Sequence, residues 1–459
     1  MPKKVVIIGG GTAGASAALA ARKADRQASI TVLAREAYPT YSRCGLPFAI
    51  GGVIPALENL IVFPEKVFAA QKIELKLNTE VTGLNAQTKE ITYRQADKDS
   101  IINYDALVIA SGSVPSVPGA LLKVLSGRKY FVLRTIDDAR RIMSAAENAK
   151  SALVIGASFI GLETAEALKE KYKLDVTLIE QFRVLWRMLD VDTSKMVREH
   201  LTAHGINVKE NETLNDLFAV PESAVIIVSA GIRPETGIFK DAGVEIGPSG
   251  GIRTNEYLQT NFPDIYTAGD CAESLSGVTG EPLLIGLGTI AARQGVVAGA
   301  NAALAPDSTD GLCPQGATPP KWDRKIAPII LNSSVLKLFG REIGSAGFTE
   351  EYCSKAGKIS AISSLVKFPS LPHYYPGGSD VHVKLIADKS SGAVVGGQVI
   401  GESAVGARVN MLSLIIENRM TVSNILRSDF CYSPPVADIW EPITITAQAL
   451  ERIIKAKNI

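Results

Sequence analysis

Short apolar runs of strand length, each closed by small residues, set the rhythm of the chain. Lys4–Ile8 reads KVVII, an unbroken β-branched run that predicts a buried parallel strand. Glycines at 9, 10, 11 and 14 follow, then an alanine-rich stretch, 15–23, that predicts a helix. A second strand is predicted over Ser29–Leu33. The same order returns at Ser151–Ile155: an apolar run, a turn from Gly156 to Gly161, a helix over 162–171 and a strand over 175–179. Three more apolar runs end in small-residue turns, at 104–113, 225–234 and 261–271. A polar, Pro- and Gly-rich stretch, 305–321, reads as a linker, and 325–459 as a third, α+β unit. The pattern predicts an α/β chain with two Rossmann-like halves.

Each repeated turn has a physical reading. Gly9 permits a tight turn, Gly11 lets a pyrophosphate approach the backbone, and Gly14 lets helix and strand pack closely. The helix N-terminus then faces the phosphates. In the second copy, Gly156 and Gly161 keep these places and Ser158 replaces the middle glycine. Glu180 stands 19 residues beyond Gly161 (180 − 161), close to the ~20 at which an acid meets a ribose 2′-hydroxyl. An acid there favours NADH. Arg183 and Arg187 just beyond offer a place for the extra phosphate of NADPH, which is kept as a second donor. The first copy is less regular: the same count reaches Ala34, and the acid, Glu36, comes two residues later. Either the strand ends differently, or backbone and Arg35 hold that ribose. Two turns imply two nucleotides, with FAD in the first and NAD(P)H in the second as the natural order.

Composition narrows the class. A length of 459 residues gives about three domains as a prior. With 46% hydrophobic and 21% charged residues, the chain is not disordered. A net charge of +1 removes a bulk electrostatic grip on nucleic acid or an anionic membrane, though not a local basic patch. Five cysteines make no disulfide scaffold, and no apolar run approaches the ~20 residues of a membrane span. The run at 5–9 is too short for a signal-peptide core. The expectation is a soluble, cytoplasmic protein in a reducing compartment.

In this order the motifs resemble the two-dinucleotide flavoprotein (pyridine nucleotide–disulfide) oxidoreductases. The resemblance implies an FAD domain in two parts, 1–115 and 246–310, an inserted NAD(P)H domain, 116–245, and a dimerisation domain, 325–459. Ala110-Ser111-Gly112 matches the family's turn where the chain leaves the FAD domain, and Gly231 lies in the corresponding turn closing the NAD domain. Gly269-Asp270 matches the returning FAD strand, whose aspartate meets the flavin ribityl chain. Ala13, Ser42, Arg43, Val81, Ile160 and Glu163 are further cofactor-binding positions it implies, and Phe159 a gate at the nicotinamide site.

Cys44 chooses the branch. Disulfide-reducing relatives carry a second cysteine five residues on, and position 49 is alanine, so an intramolecular redox disulfide is excluded. What remains is one thiol at a helix start, with Pro47 suiting the first turn; the helix N-terminus and Arg43 are expected to favour its thiolate. The other reading is a buried structural cysteine. The single-cysteine branch includes coenzyme A–disulfide reductases, NADH-dependent persulfide or polysulfide reductases, and NADH oxidases and peroxidases. The last two usually carry a histidine in the first glycine turn, where this chain has Thr12; residues 43–52 look most like the first two. Segments 371–377 and 430–435 resemble those of coenzyme A–disulfide reductases in which partner-subunit tyrosines face the cysteine. Tyr374 or Tyr375, and Tyr432, match, and imply a homodimer with shared sites. Arg22, Lys23 and Arg26 are either a solvated helix face, the preferred reading, or a grip on coenzyme A phosphates.

The function implied is FAD-dependent NAD(P)H reduction of a small disulfide, persulfide or polysulfide, with coenzyme A as substrate or ligand. The alternatives are an NADH oxidase or peroxidase cycling Cys44 through sulfenic acid, and a flavoprotein redox sensor or electron donor to a protein. No metal is expected: Cys271, Cys313 and Cys353 lack ligand spacing. The sulfur-transfer domain of longer relatives is expected to be absent in cis.

Overall fold

The computed structural model describes residues 1–215, 220–304, 325–357 and 359–457. The stretch 305–321, read as a linker, lies outside the described residues, and Cys313 with it. The first sheet has five parallel strands in the order Ile265–Thr267, Ala106–Ile109, Lys4–Ile8, Ser29–Leu33, Ile73–Lys76. The strand Ile265–Thr267 thus comes back to a sheet begun more than two hundred residues earlier. Val5, Ile7, Val32 and Val108 are fully buried, each contributing about 1.5–3 kcal/mol of transfer free energy. The alanine-rich helix Thr12–Ala24 packs on Gly288–Ala303 so closely that a Cβ on Gly295 would lie 2.3 Å from the carbonyl oxygen of Ala13. Small residues there are a steric demand as well as a helix preference.

A second parallel sheet runs Ile206–Glu210, Asp175–Glu180, Ser151–Ile155, Val225–Val228. The third unit is an antiparallel sheet, in the order Ser334–Leu338, Arg341–Gly347, Val394–Gly401, Asp380–Asp388, Ala361–Pro369, with helices Val405–Glu417 and Pro442–Lys457 against it. The α/β class with two Rossmann-like halves and an α+β unit is as the sequence predicts.

One apolar core crosses all three units. Leu46, Ala49 and Ile50 meet Ile136, Leu162 and Ala165 of the second sheet's helices, and the cluster continues into Leu336, Leu338 and Ile343 of the third. A polar knot reinforces the second junction. Lys384, on the third sheet and almost wholly buried, sets its ammonium 3.3 Å from Asp190, 2.9 Å from Asp192 and 2.7 Å from Glu350. Asp190 also accepts from the Glu350 main-chain N–H (2.9 Å) and Gln398 Nε2 (2.7 Å). Removing the cation leaves a buried carboxylate uncompensated. Lys384→Met is therefore expected to lower unfolding stability by about 3 kcal/mol, read as a shifted urea midpoint with flavin content unchanged.

Candidate active site

Both glycine turns sit at the carboxyl ends of parallel strands. Gly9 has φ +110°, and a Cβ on it would fall 2.1 Å from the Ala110 carbonyl oxygen. A Cβ on Gly14 would lie 1.8 Å from the Gly9 carbonyl oxygen, whereas one on Gly11 meets no protein atom within 4 Å. Two glycines are thus demanded by packing, and the third leaves an open cradle. Gly11 caps the helix Thr12–Ala24, whose first turn has no side-chain cap and no acid. That geometry suits a phosphate group. The second turn repeats it: Gly156 (φ +103°) approaches the Ser229 carbonyl, a Cβ on Gly161 would lie 2.0 Å from the Gly156 carbonyl oxygen, and exposed Ser158 caps the helix Phe159–Tyr172.

The acids beyond the turns differ. Glu180 is buried and accepts the N–H groups of Ala157 (2.8 Å) and Phe182 (3.0 Å), so its carboxylate is fixed beside the glycine turn. Arg183 is not available to a nucleotide phosphate: it pairs with Glu351 and donates to the Leu189 carbonyl. Arg187 lies over the Trp186 ring. In the first half, Ala34 is buried and leaves Gly10 no room for a side chain, since a Cβ there would lie 2.7 Å from Ala34 Cβ. Glu36 accepts from Arg43 Nη2 and from the Tyr41 hydroxyl, both at 2.6 Å, and Arg35 pairs with Glu235 at 2.7 Å.

Around Gly112 (φ +74°) the first two units meet. Asp270 accepts from the Ser113 hydroxyl (2.8 Å) and from Arg134 Nη2 (3.2 Å). Gly269 (φ +84°) lets that turn press on Ala13, where a Cβ would lie 2.9 Å from Ala13 Cβ. Ala110 is buried, Ser111 donates to the Glu235 carbonyl (2.9 Å), Gly231 faces open space, and Val81 packs beneath on the Thr79–Asn85 strand.

Cys44 lies in the 3-10 turn Arg43–Gly45, which runs into the short helix Leu46–Ile50 with Pro47 in its first turn. Ser42, ahead of it, donates its N–H to the Leu60 carbonyl (2.8 Å). The residue Cys44 is exposed and its thiol free, and Ala49, where a second cysteine would stand, is buried in the core. The expected activation of Cys44 is not found. Protein crowding around the sulfur pushes the thiol pKa up, Glu163 and Asp270 push it further, and Arg134 opposes them. Arg43 is committed elsewhere: to Glu36, to the Tyr41 ring, and to the Arg134 carbonyl at 2.8 Å. Glu163, on the helix Phe159–Tyr172, has its carboxyl raised to about 7 by burial and by Glu166. Phe159 and Ile160, on the same helix, are half-buried against the shared core.

Sequence profiles agree with this architecture. Residues 3–295 match the pyridine nucleotide-disulphide oxidoreductase family and 334–442 its dimerisation domain. The chain belongs to this family. It is 33% identical, over 98% of this chain and 99% of the relative, to an NADH oxidase of Methanocaldococcus jannaschii. It is 29% identical, over 98% and 99%, to a NAD(P)H coenzyme A polysulfide/persulfide reductase of Pyrococcus horikoshii. Its fold superposes on a NAD-dependent persulfide reductase from A. fulgidus with a TM-score of 0.90 at 31% identity, covering 99% of this chain and 84% of that one. As a member, it is an NAD(P)H-dependent flavin oxidoreductase. The cradle at Gly11 and the uncapped helix above it fit the diphosphate of FAD.

Other implied positions of this oxidoreductase fare differently. Tyr374 and Tyr432 are exposed, and their hydroxyls are 2.7 Å apart. Tyr375 is exposed as well, and none of the three is hydrogen-bonded to Cys44 within one chain. Arg22 does not form a phosphate grip: its guanidinium donates to the carbonyls of Gln71, Asp25, Arg26 and Lys72 and ties the helix end to the turn before the strand Ile73–Lys76. Arg26 is exposed. Arg134 and Ser113 escaped the sequence reading. The signal nearest Arg134 is the helix start Thr135-x-x-Asp138, a capping box in the structure. Gly9→Ala is expected to destabilise the fold by about 3 kcal/mol, whereas Gly11→Ala keeps the melting temperature of the flavin-free protein and loses FAD. Calorimetry and the visible flavin absorbance separate the two.

Proposed function

We propose that this enzyme reduces a low-molecular-weight disulfide, persulfide or polysulfide of the coenzyme A class with electrons from NADH, through Cys44 alone. The observation that carries the reading is one exposed free sulfur with a buried alanine at the partner position. In this reading Gly11 and the helix after it hold the FAD diphosphate, and Asp270 takes the ribityl chain. Ser158 and the helix after it hold NADH, Glu180 its ribose, and Phe159 gates the nicotinamide. Residues 1–115 and 246–310 would form the FAD domain, 116–245 the NAD domain and 325–459 the dimer face, in a cytoplasmic homodimer.

When bound, FAD supplies the relay that takes a hydride from NADH and returns two electrons to sulfur. The chain's own part is nucleophilic. Cys44 thiolate attacks one sulfur of the S–S bond, that bond breaks, and the departing sulfur leaves as thiolate or hydrosulfide. Two electrons then cleave the mixed disulfide and restore Cys44 thiolate. Tyr374 and Tyr432 of the second subunit would offer the departing sulfur a proton, since a phenol of pKa ~10 remains protonated at neutral pH. Support for the coenzyme A class comes from the Pyrococcus horikoshii relative. The oxidase reading has the Methanocaldococcus jannaschii relative behind it, and Thr12 against it.

Anaerobic turnover of NADH with coenzyme A disulfide or polysulfide, set against turnover with oxygen alone, decides between them. Cys44→Ala is expected to lower sulfur-acceptor turnover by about a thousandfold or more; retention of full turnover refutes the reading. Mixing Cys44→Ala subunits with Tyr432→Phe subunits should regenerate activity that neither parent dimer has, measured in the same assay.

A further inference from the structure

The loop that follows Glu180 is held from two sides. On its inner side it meets the second glycine turn. Phe182 donates its N–H to Glu180 Oε1 (3.0 Å), and Leu185 donates its N–H to the Ala157 carbonyl (3.1 Å). Ala157 in turn donates its N–H to Glu180 Oε2 (2.8 Å). Acid, turn and loop thus close into one hydrogen-bonded ring. On its outer side the loop is held by the third unit. The Arg183 guanidinium lies 2.5 Å from Glu351 Oε2 and donates to the Leu189 carbonyl (3.1 Å), so it clasps both ends of the loop at once. At the loop's far end, Asp190 Oδ1 accepts the main-chain N–H groups of Glu350 (2.9 Å) and Glu351 (3.5 Å). Glu351 stands in the first turn of the helix Glu350–Ala356, which Thr349 caps by accepting the Tyr352 N–H. Its place is therefore set within the third unit, independently of Arg183. Arg183 Nε is buried with no partner among the described residues, a cost that the bonds to Glu351 and Leu189 have to offset.

We propose that Glu351 is a positioning residue of the nicotinamide-nucleotide site: through Arg183 it fixes the loop that orients Glu180 and the Ala157 turn. The inference rests on the reading that Glu180 takes the ribose of NADH. Each oxygen of the Glu180 carboxylate already accepts one main-chain N–H, so the lone pairs left for a ribose hydroxyl point where those two N–H groups set them. One of the two belongs to Phe182, next to Arg183, and the other to the turn that Leu185 holds. Releasing Arg183 frees the loop, and the carboxylate loses its fixed direction. Nucleotide affinity then falls, while the chemistry at Cys44 is untouched. The third unit in this way shapes the electron donor's site without touching the donor.

The test is the binding of ADP-ribose, which carries the adenosine end of NADH without its nicotinamide, to the FAD-loaded enzyme by titration calorimetry, with steady-state kinetics beside it. Glu351→Gln is expected to weaken ADP-ribose about fivefold to twentyfold. It should raise KM for NADH by a similar factor and leave kcat at saturating NADH, and KM for the sulfur acceptor, within about twofold. Arg183→Gln should cause the same loss, and the double variant no more than either single one, because both act through one contact. Lys355→Gln removes only the exposed second partner of Glu351 (2.6 Å) and should leave the affinity in place. An ADP-ribose affinity unmoved by Glu351→Gln, losses that add in the double variant, or a kcat that falls while KM for NADH stays would overturn the proposal. If Arg183→Gln does not fold, Arg183→Lys takes its place, and its loss must likewise shrink in the Glu351→Gln background. Glu180→Gln separates the two layers. If it binds ADP-ribose as the unaltered enzyme does, the ribose reading falls and this inference with it; if it loses affinity while Glu351→Gln does not, this inference alone falls.

Discussion

The site depends on how closely strand ends and turns press together. At Gly9 the chain passes within a hydrogen's reach of the Ala110 carbonyl, and at Gly156 the Ser229 carbonyl comes as near. Any side chain in either place would force apart two strands whose buried faces hold the sheet. Because the strands cannot separate, the helix that follows each turn must begin where it does, with unpaired N–H groups directed at the sheet edge. Everything of chemical interest is placed relative to those two fixed points. Asp270 arrives beside the first by way of Gly269, and Arg134 is drawn in beneath Gly112.

Local periodicity made most of the architecture legible. Lys4–Ile8, Ser151–Ile155 and Asp175–Glu180 are strands almost residue for residue, since apolar runs closed by glycine leave little choice in a parallel sheet. Of the candidate site, the readings that turn on one residue meet an exposed Cys44 and an open Gly11, while those that depend on partners distant in sequence fare less well. Arg43 looked like the cation for Cys44 because it is adjacent. Tertiary contact gives it to Glu36 and to the Arg134 carbonyl instead. Arg22, read first as a solvated helix face, and Arg183, offered as a place for the NADPH phosphate, both have their guanidiniums committed to protein partners in the fold.

Burial raises the Cys44 thiol, Glu163 and Asp270 act in the same direction, and Arg134 opposes them. Burial and Glu166 likewise raise the Glu163 carboxyl to about 7.

The apolar core running from Leu46 through Leu162 to Leu338 has a mechanical implication. Hinge motions require a seam where few side chains interlock; here, parting the Cys44 segment from the second sheet's helices or from the third unit would expose apolar side chains to water.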